Sequence, residues 1–321
     1  MDLKDKKLVY LLDLNSRSKE IELARKLRTS KQVVNYRIKK LISGGIIKKF
    51  QTVLNLDSLG INVYSNVYFK LSASKSKEEE ILKFLVNNDN VGYVALLGGR
   101  FDLSVVLVAK SLQQLGDNLN KIINKYPEEL KEYILSLRTF GVKFTKKYLL
   151  ERGIETKKIL AKGSKIEKID KLDKDILQFL SQSSRLSIVE ISDKLKVPFS
   201  TVRLRIKSLE NRGVIAGYSI LPDLNKLGML NYKLFIKVKD KSETAYKKLL
   251  LFSETQKNII WFFKTLGEHD YELRIEIENQ EKYHEIVKEI RSNFSEIISE
   301  VETILVFNEL KEDYSAILEN I

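Results

Sequence analysis

The stretch that decides the fold is VRLRIKSLENRGVI, residues 202–215, because VNYRIKKLISGGII at residues 34–47 is its near copy. Sliding the chain against itself by 168 residues sets Val34 on Val202, Arg37 on Arg205, Ile38 on Ile206, Leu41 on Leu209, Gly45 on Gly213 and Ile47 on Ile215. At the same shift Arg17 meets Arg185, Leu59-Gly60 meets Leu227-Gly228, and Gly99 and Asp102 meet Gly267 and Asp270. Register slips only near the first strand after Gly60. A repeat of this length means two copies of one folding unit.

Within each copy the apolar spacing falls into two parts. In copy two Leu172, Ile176, Leu177 and Leu180 line one helix face, Ile188, Ile191 and Leu195 a second, and Val202, Ile206 and Leu209 a third. Pro198 stands where a helix begins without needing its N–H, with Ser200 and Thr201 in the first turn, and Ser30 takes its place in copy one. After the glycine, VIAGYSILP and GIIKKFQTVL each read as a short β wing. Three helices and a wing make a winged helix-turn-helix.

The remainder alternates strand and helix. Copy one has strands at 62–71, 91–97, 102–109 and 132–142 with helices at 77–86 and 112–125; copy two has strands near 232–239, 258–266, 270–277 and 299–307 with helices near 243–253 and 280–293. The order βαββαβ is ferredoxin-like, so the expected class is α+β in two repeats. The boundaries read as helix-turn-helix 1–58, α+β domain 59–148, a lysine-rich and partly helical linker 149–170, helix-turn-helix 171–226 and α+β domain 227–321.

Composition bounds the chemistry. The 321 residues contain no cysteine and two histidines, His269 and His284, which disfavours disulfides, thiolate chemistry and a Cys- or His-based metal site; no cofactor or metal is expected. No apolar run is longer than Ile259–Phe263, far short of the roughly 20 residues of a membrane-spanning helix. Without a signal-peptide core at MDLKDKKLVY, the expected location is the cytoplasm, with no membrane partner. The net charge of +13 is uneven: residues 1–60 carry +8 and residues 227–321 carry −5. Such asymmetry suits a polyanion as partner of the basic parts.

The DKDIL opening at Asp173–Leu177, the RIKSLENRGVI block at Arg205–Ile215 and the turn Gly267-Glu-His-Asp270 resemble the Lrp/AsnC ("feast/famine") transcriptional regulators of bacteria and archaea, twice over nearly the whole chain. Copy one departs from the pattern, with Ile42, Gly44 and Lys7 opposite Glu210, Arg212 and Asp175. The resemblance implies double-stranded DNA as partner, an amino acid as effector, and dimerisation through the α+β domains; tandem duplication then makes one chain a pseudo-dimer. Further homo-oligomers through those domains are also implied. Relatives with the same layout act as sirohaem decarboxylases, and that enzyme reading stands as the alternative, beside an architectural DNA-binding protein; a non-enzymatic regulator is the expectation.

The third helix of each copy then enters the major groove. Its free face carries Lys31, Gln32, Asn35, Tyr36 and Lys39 in copy one, and Ser200, Thr201, Arg203, Leu204 and Lys207 in copy two. Asn35 or Gln32 suits adenine and Arg203 suits guanine, while Lys39, Lys40, Arg205 and the wing residues Lys48 and Lys49 suit phosphates. A solvated basic helix is the simpler alternative. Gly99, Asp102, Gly267 and Asp270 are effector-site candidates by resemblance; read structurally, they make tight strand connections in which Asp bonds local amides. Trp261, equivalent to Tyr93, reads as core or interface filling.

Overall fold

The computed structural model describes residues 1–150, 157–161 and 165–320. The first helical unit comprises α1 (Leu3–Leu14), α2 (Glu20–Leu27) and α3 (Lys31–Ser43), followed by strand β1 (Ile47–Leu54). Asp2 caps α1 by accepting from the Asp5 amide, and Ser30 caps α3 by accepting from the Val33 amide. Val34, Ile38 and Leu41 pack inward against Leu8, Leu12 and Leu23, each worth about 1.5–3 kcal/mol when fully buried. The first α+β domain follows as β2 (Val63–Lys70), α4 (Lys75–Val86), β3 (Val91–Gly98), β4 (Leu103–Ala109), α5 (Leu112–Lys125) and β5 (Glu132–Phe144).

Strand β6 (Lys157–Ala161) then pairs along β5, and residues 165–170 run without regular structure into the second helical unit. The described part of the linker is thus strand and coil where a partly helical linker is expected: β5 runs on past its pairing with β2, and Gly141 to Phe144 there take β6 as a partner, a long-range contact with no local mark in a lysine-rich stretch. Residues 151–156 and 162–164 of that linker lie outside the described residues. The second copy repeats the order: α6 (Lys171–Gln182), α7 (Ile188–Leu195), α8 (Phe199–Asn211), β7 (Ile215–Pro222), β8 (Leu230–Val238), α9 (Glu243–Thr255), β9 (Ile259–Leu266), β10 (Tyr271–Ile277), α10 (Gln280–Asn293) and β11 (Ile298–Glu312).

The expected wings are not separate. β1 and β7 pair antiparallel with each other, Gln51 opposite Ser219 and Thr52 opposite Tyr218, as a two-stranded ribbon joining the copies. The reason is elementary: each strand alone leaves its backbone N–H and C=O groups unpaired, and the other copy supplies them. Each first helix packs on the other copy's ribbon strand. The amides of Ser16 and Ser184 donate to the carbonyls of Tyr218 and Phe50.

Both α+β domains have the strand order fourth-first-third-second, β5-β2-β4-β3 and β11-β8-β10-β9. Their edges also join, β3 to β11 and β5 to β9, so eight strands close into a ring, with β6 added along the end of β5. β5 and β11 bridge the two sheets: β11 pairs with β8 up to Val306 and with β3 from Leu305 onward. Helices α4 and α5 cover one outer face through Ile81, Leu85, Leu115 and Ile122, and α9 and α10 the other through Leu249, Ile286 and Ile290. The inner faces look at each other. Among the described residues no helix is long and apolar enough to cross a membrane.

Candidate DNA-binding faces and an internal polar chamber

The two helical units are locked together about a pseudo-two-fold axis. Ser16 Oγ and Ser184 Oγ, one repeat apart, lie 2.6 Å from each other. Arg17 donates to the carbonyls of Ser184 and Leu186, and Arg185 reciprocally to those of Ser16 and Ser18 and to the Glu20 carboxylate. Such bidentate hooks fix direction as well as distance. Helices α3 and α8 therefore sit on one rigid assembly with opposite copies equivalently placed.

Lys31, Gln32, Asn35, Tyr36, Lys39 and Lys40 are all exposed along α3, and Ser200, Arg203 and Lys207 along α8, with Thr201 half-buried. At equivalent positions Tyr36 and Leu204 are 67% and 68% exposed, large apolar groups standing on polar faces. Two of the expected phosphate contacts are engaged inside the protein. Arg205 bonds Asp170 at 2.7 Å and Asp173 at 3.3 Å, as Arg37 bonds Asp2 and Asp5, tying α8 and α3 to the starts of α6 and α1. Lys49 turns away from the ribbon's outer side to Asp313, 2.6 Å away, whereas Lys48 is exposed with Asp223 at 3.5 Å.

The glycine-aspartate turns act as strand hooks. Asp102 accepts from the Leu71 amide at 2.7 Å, and Asp270 from the Val238 amide at 2.9 Å and from Lys241. Gly99 and Gly267 hold φ of +120° and +154°, and a Cβ on Gly267 would stand 2.5 Å from the Leu135 carbonyl oxygen. The turns meet across the pseudo-axis, where Arg100 of one binds Glu268 of the other. Both candidate carboxylates are thus already hydrogen-bonded to backbone.

Sequence reasoning missed the barrel interior. The pairings Asn66 with Val106 and Tyr68 with Ser104 in copy one correspond to Lys233 with Arg274 and Phe235 with Glu272 in copy two. Neutral residues in one copy thus face charged ones at the same places in the other. Lys233 donates to Ser104 Oγ (2.9 Å) and Tyr68 Oη (3.3 Å), with Tyr93 within cation–π reach. Glu276, fully buried, takes Lys146 at 2.5 Å, Tyr148 Oη at 2.5 Å and Arg274 at 3.3 Å. Glu309 accepts from Tyr93 Oη (2.7 Å) and Arg274 (2.8 Å). His269 lies 2.9 Å from Glu272 and stacks on Phe235.

Burial raises the Glu272 carboxyl, but the bond to His269 and the charges of His269, Arg138 and Lys233 outweigh it and hold it well below the usual range. Burial pushes Lys233 down to about 7, against the opposing pull of Glu272. In the unfolded chain the same lysine titrates near 10.4. Between those values the unfolded state binds the extra proton, so stability rises with pH through this window and is lost as pH falls toward 7. Urea unfolding of the protein and of Lys233→Met at pH 7 and pH 9 should show the wild type gaining on the variant by on the order of 2 kcal/mol. An unchanged difference between the two pH values would mean that Lys233 stays charged.

Between the ribbon, α6 and the mouth of the ring lies a cavity of about 170 Å³. Its walls include Gln51 to Leu54 of β1, Ser181 of α6, Arg138 and Lys143 of β5, Trp261 and Phe263 of β9, and Arg274 of β10. Trp261 is half-buried and stacks on Phe263 with centroids 5.2 Å apart, filling an interface as expected but also walling a cavity.

Two helix-turn-helix units carried on a closed pair of ferredoxin-like domains define a tandem helix-turn-helix class of architecture. A winged helix-turn-helix DNA-binding family model matches residues 1–48 and 169–216, and an Lrp/AsnC ligand binding domain model matches residues 233–316. An uncharacterised HTH-type transcriptional regulator of Pyrococcus furiosus is 31% identical over 147 residues, 46% of this chain and 96% of that protein. The DNA-binding transcriptional activator DecR of Escherichia coli K12 is 26% identical over 38% of this chain and 81% of its own. The chain belongs to the Lrp/AsnC family of transcriptional regulators. The crystal structure of the siroheme decarboxylase NirDL superposes over 99% of this chain and 98% of that one with a TM-score of 0.65 at 15% identity, a likeness of fold.

Proposed function

We propose that the protein is a sequence-specific, non-enzymatic DNA-binding regulator in which one chain supplies both halves of a dimer-like unit. The observation that carries the reading is the reciprocal Ser16–Arg17 and Ser184–Arg185 lock, which fixes two recognition helices relative to each other while their exposed faces differ. Lys31, Gln32, Asn35 and Tyr36 on one side, and Ser200, Arg203, Leu204 and Lys207 on the other, would read unlike half-sites, with Leu204 suited to a thymine methyl and Arg203 to guanine. Double-stranded DNA is the partner and an amino acid the family's kind of effector. An amino acid at the Gly99–Asp102 or Gly267–Asp270 turn would meet carboxylates already bonded to amides. Against catalysis, neither histidine lines the chamber.

Iterative selection from random duplexes tests the reading: an enriched two-part motif with unlike halves is expected, and a perfect palindrome would overturn the claim of unlike reading. Salt-sensitive binding without enrichment would make the protein architectural. Within the selected site, Arg203→Ala should cost about 1–3 kcal/mol at one base pair and relax preference there. A uniform loss over all sequences would assign Arg203 to a phosphate instead.

A further inference from the structure

We propose that the chamber between ribbon and ring is a binding site for a small organic anion, a carboxylate joined to a flat apolar body. The walls divide by chemistry. Tyr64, Tyr93, Trp261, Phe263 and Tyr314 offer ring surface, which suits a planar hydrocarbon face. Facing into the same space are Arg138, Lys143 and Arg274 against the carboxylates Glu272 and Glu312.

Several polar atoms there lack a partner among the described residues: Arg138 Nε, Arg274 Nε and Ser181 Oγ. A buried polar group left without a partner is costly, so an occupant that bonds it is favoured. Arg138 has its guanidinium 3.9 Å above the Phe263 ring, 3.9 Å from Glu272 and in hydrogen-bonding reach of Tyr314, which leaves its Nε for an incoming acceptor. Lys143 reaches Asp13 only at 3.5 Å, and the charges of Asp13, Glu312 and Glu276 outweigh burial to keep it protonated. Burial and the neighbouring Glu309 raise the Glu312 carboxyl. An acceptor brought in by a ligand would meet those donors in a water-poor space, where charge-assisted bonds are strong.

The pseudo-symmetry adds an independent observation. The charged inner residues Lys233, Glu272 and Arg274 stand where copy one has Asn66, Ser104 and Val106. Copy one closes the same four-stranded sheet without them, so folding of the domain does not require charge at these places. Because β1 and α6 are walls, an occupant would press on the ribbon between the two helical units; that consequence rests on the regulator reading, and the binding itself does not.

The test uses the full chain and 2-naphthoate as probe, with 2-naphthamide as its uncharged isostere. Trp261 is the single tryptophan of the sequence and lines the chamber, so its emission, corrected for the naphthyl probe's own fluorescence, reports occupancy while calorimetry gives affinity. The carboxylate should bind with one site per chain, shift Trp261 emission, and exceed the amide by at least about tenfold. Arg138→Met, which keeps the stack on Phe263, should weaken the carboxylate by a similar factor and leave the amide unchanged. Ser181→Phe, which fills the chamber from α6 outside the charge network, should abolish both heat and emission change. Absence of binding, equal affinity for acid and amide, or binding untouched by Ser181→Phe would each overturn the proposal. DNA affinity measured on the same variants without probe separates this outcome from failure of the regulator reading.

Discussion

Glu276→Ala should lower the free energy of unfolding by about 3–5 kcal/mol, the cost of breaking a buried ion pair by removing one partner. The carboxylate is wholly inaccessible and satisfies three neighbours at once: Lys146 at 2.5 Å, Tyr148 Oη at 2.5 Å and Arg274 at 3.3 Å. Burial alone would raise its pKa, yet Lys146 and Arg274 hold it below the usual carboxylate value, which means the ionised form is the one the fold stabilises. Alanine strands the Lys146 ammonium in an interior that cannot solvate it. Lys146 and Tyr148 belong to the segment that leaves β5 and packs Leu149 against the first helical unit, so the loss should loosen that packing as well. Replacing Arg100, whose pair with Glu268 is partly exposed, should by contrast cost about 0–1 kcal/mol. Urea melts at neutral pH compare the two directly. A Glu276→Ala loss no larger than that of Arg100→Ala would mean that water reaches the cluster.

The contrast between those two pairs marks where sequence reading stops. The helices were legible because Val34, Ile38 and Leu41, or Val202, Ile206 and Leu209, recur with the period of a helix and the glycines that follow sit at matching places. The sequence pattern of β11 ends near 307, but the strand extends to Glu312, because its end is held by β3, more than two hundred residues away in sequence. Likewise the ribbon partners of β1 and β7 are set by the other copy and leave no local mark. Alternation in YELRIEI announces two unlike faces but not what covers the polar one; ring closure puts Glu272, Arg274 and Glu276 in the interior. Of the residues assigned to DNA, the α3 and α8 faces are solvent-exposed, while Arg205 and Lys49 were indistinguishable in sequence from free cations and are bound to Asp170 and Asp313. Nothing short of the tertiary contacts distinguishes a lysine that meets phosphate from one that meets a carboxylate.

That distinction gives the largest effect on binding. Changing Lys31, Lys39 and Lys40 together to glutamine should reduce the salt dependence of DNA affinity by a slope of about 2 to 3, since each neutralised phosphate contributes about 0.9. Affinity near 0.15 M salt should fall on the order of a hundredfold, by the same counterion release. The three side chains are exposed on the free side of α3, so folding should be unaffected. Lys49→Gln is the internal control: its ammonium lies 2.6 Å from Asp313 and faces the chamber, so it should leave the slope unchanged although it belongs to the same basic segment. Lys48→Gln, exposed on the neighbouring ribbon position, should remove about one contact. Titrations of a fixed duplex at several salt concentrations read all three. Equal slopes for the triple variant and the unaltered protein would place the phosphate backbone elsewhere and leave α3 a solvated basic helix. A slope lowered equally by Lys49→Gln would show instead that net charge over residues 1–60 governs binding, and that the position of each lysine does not.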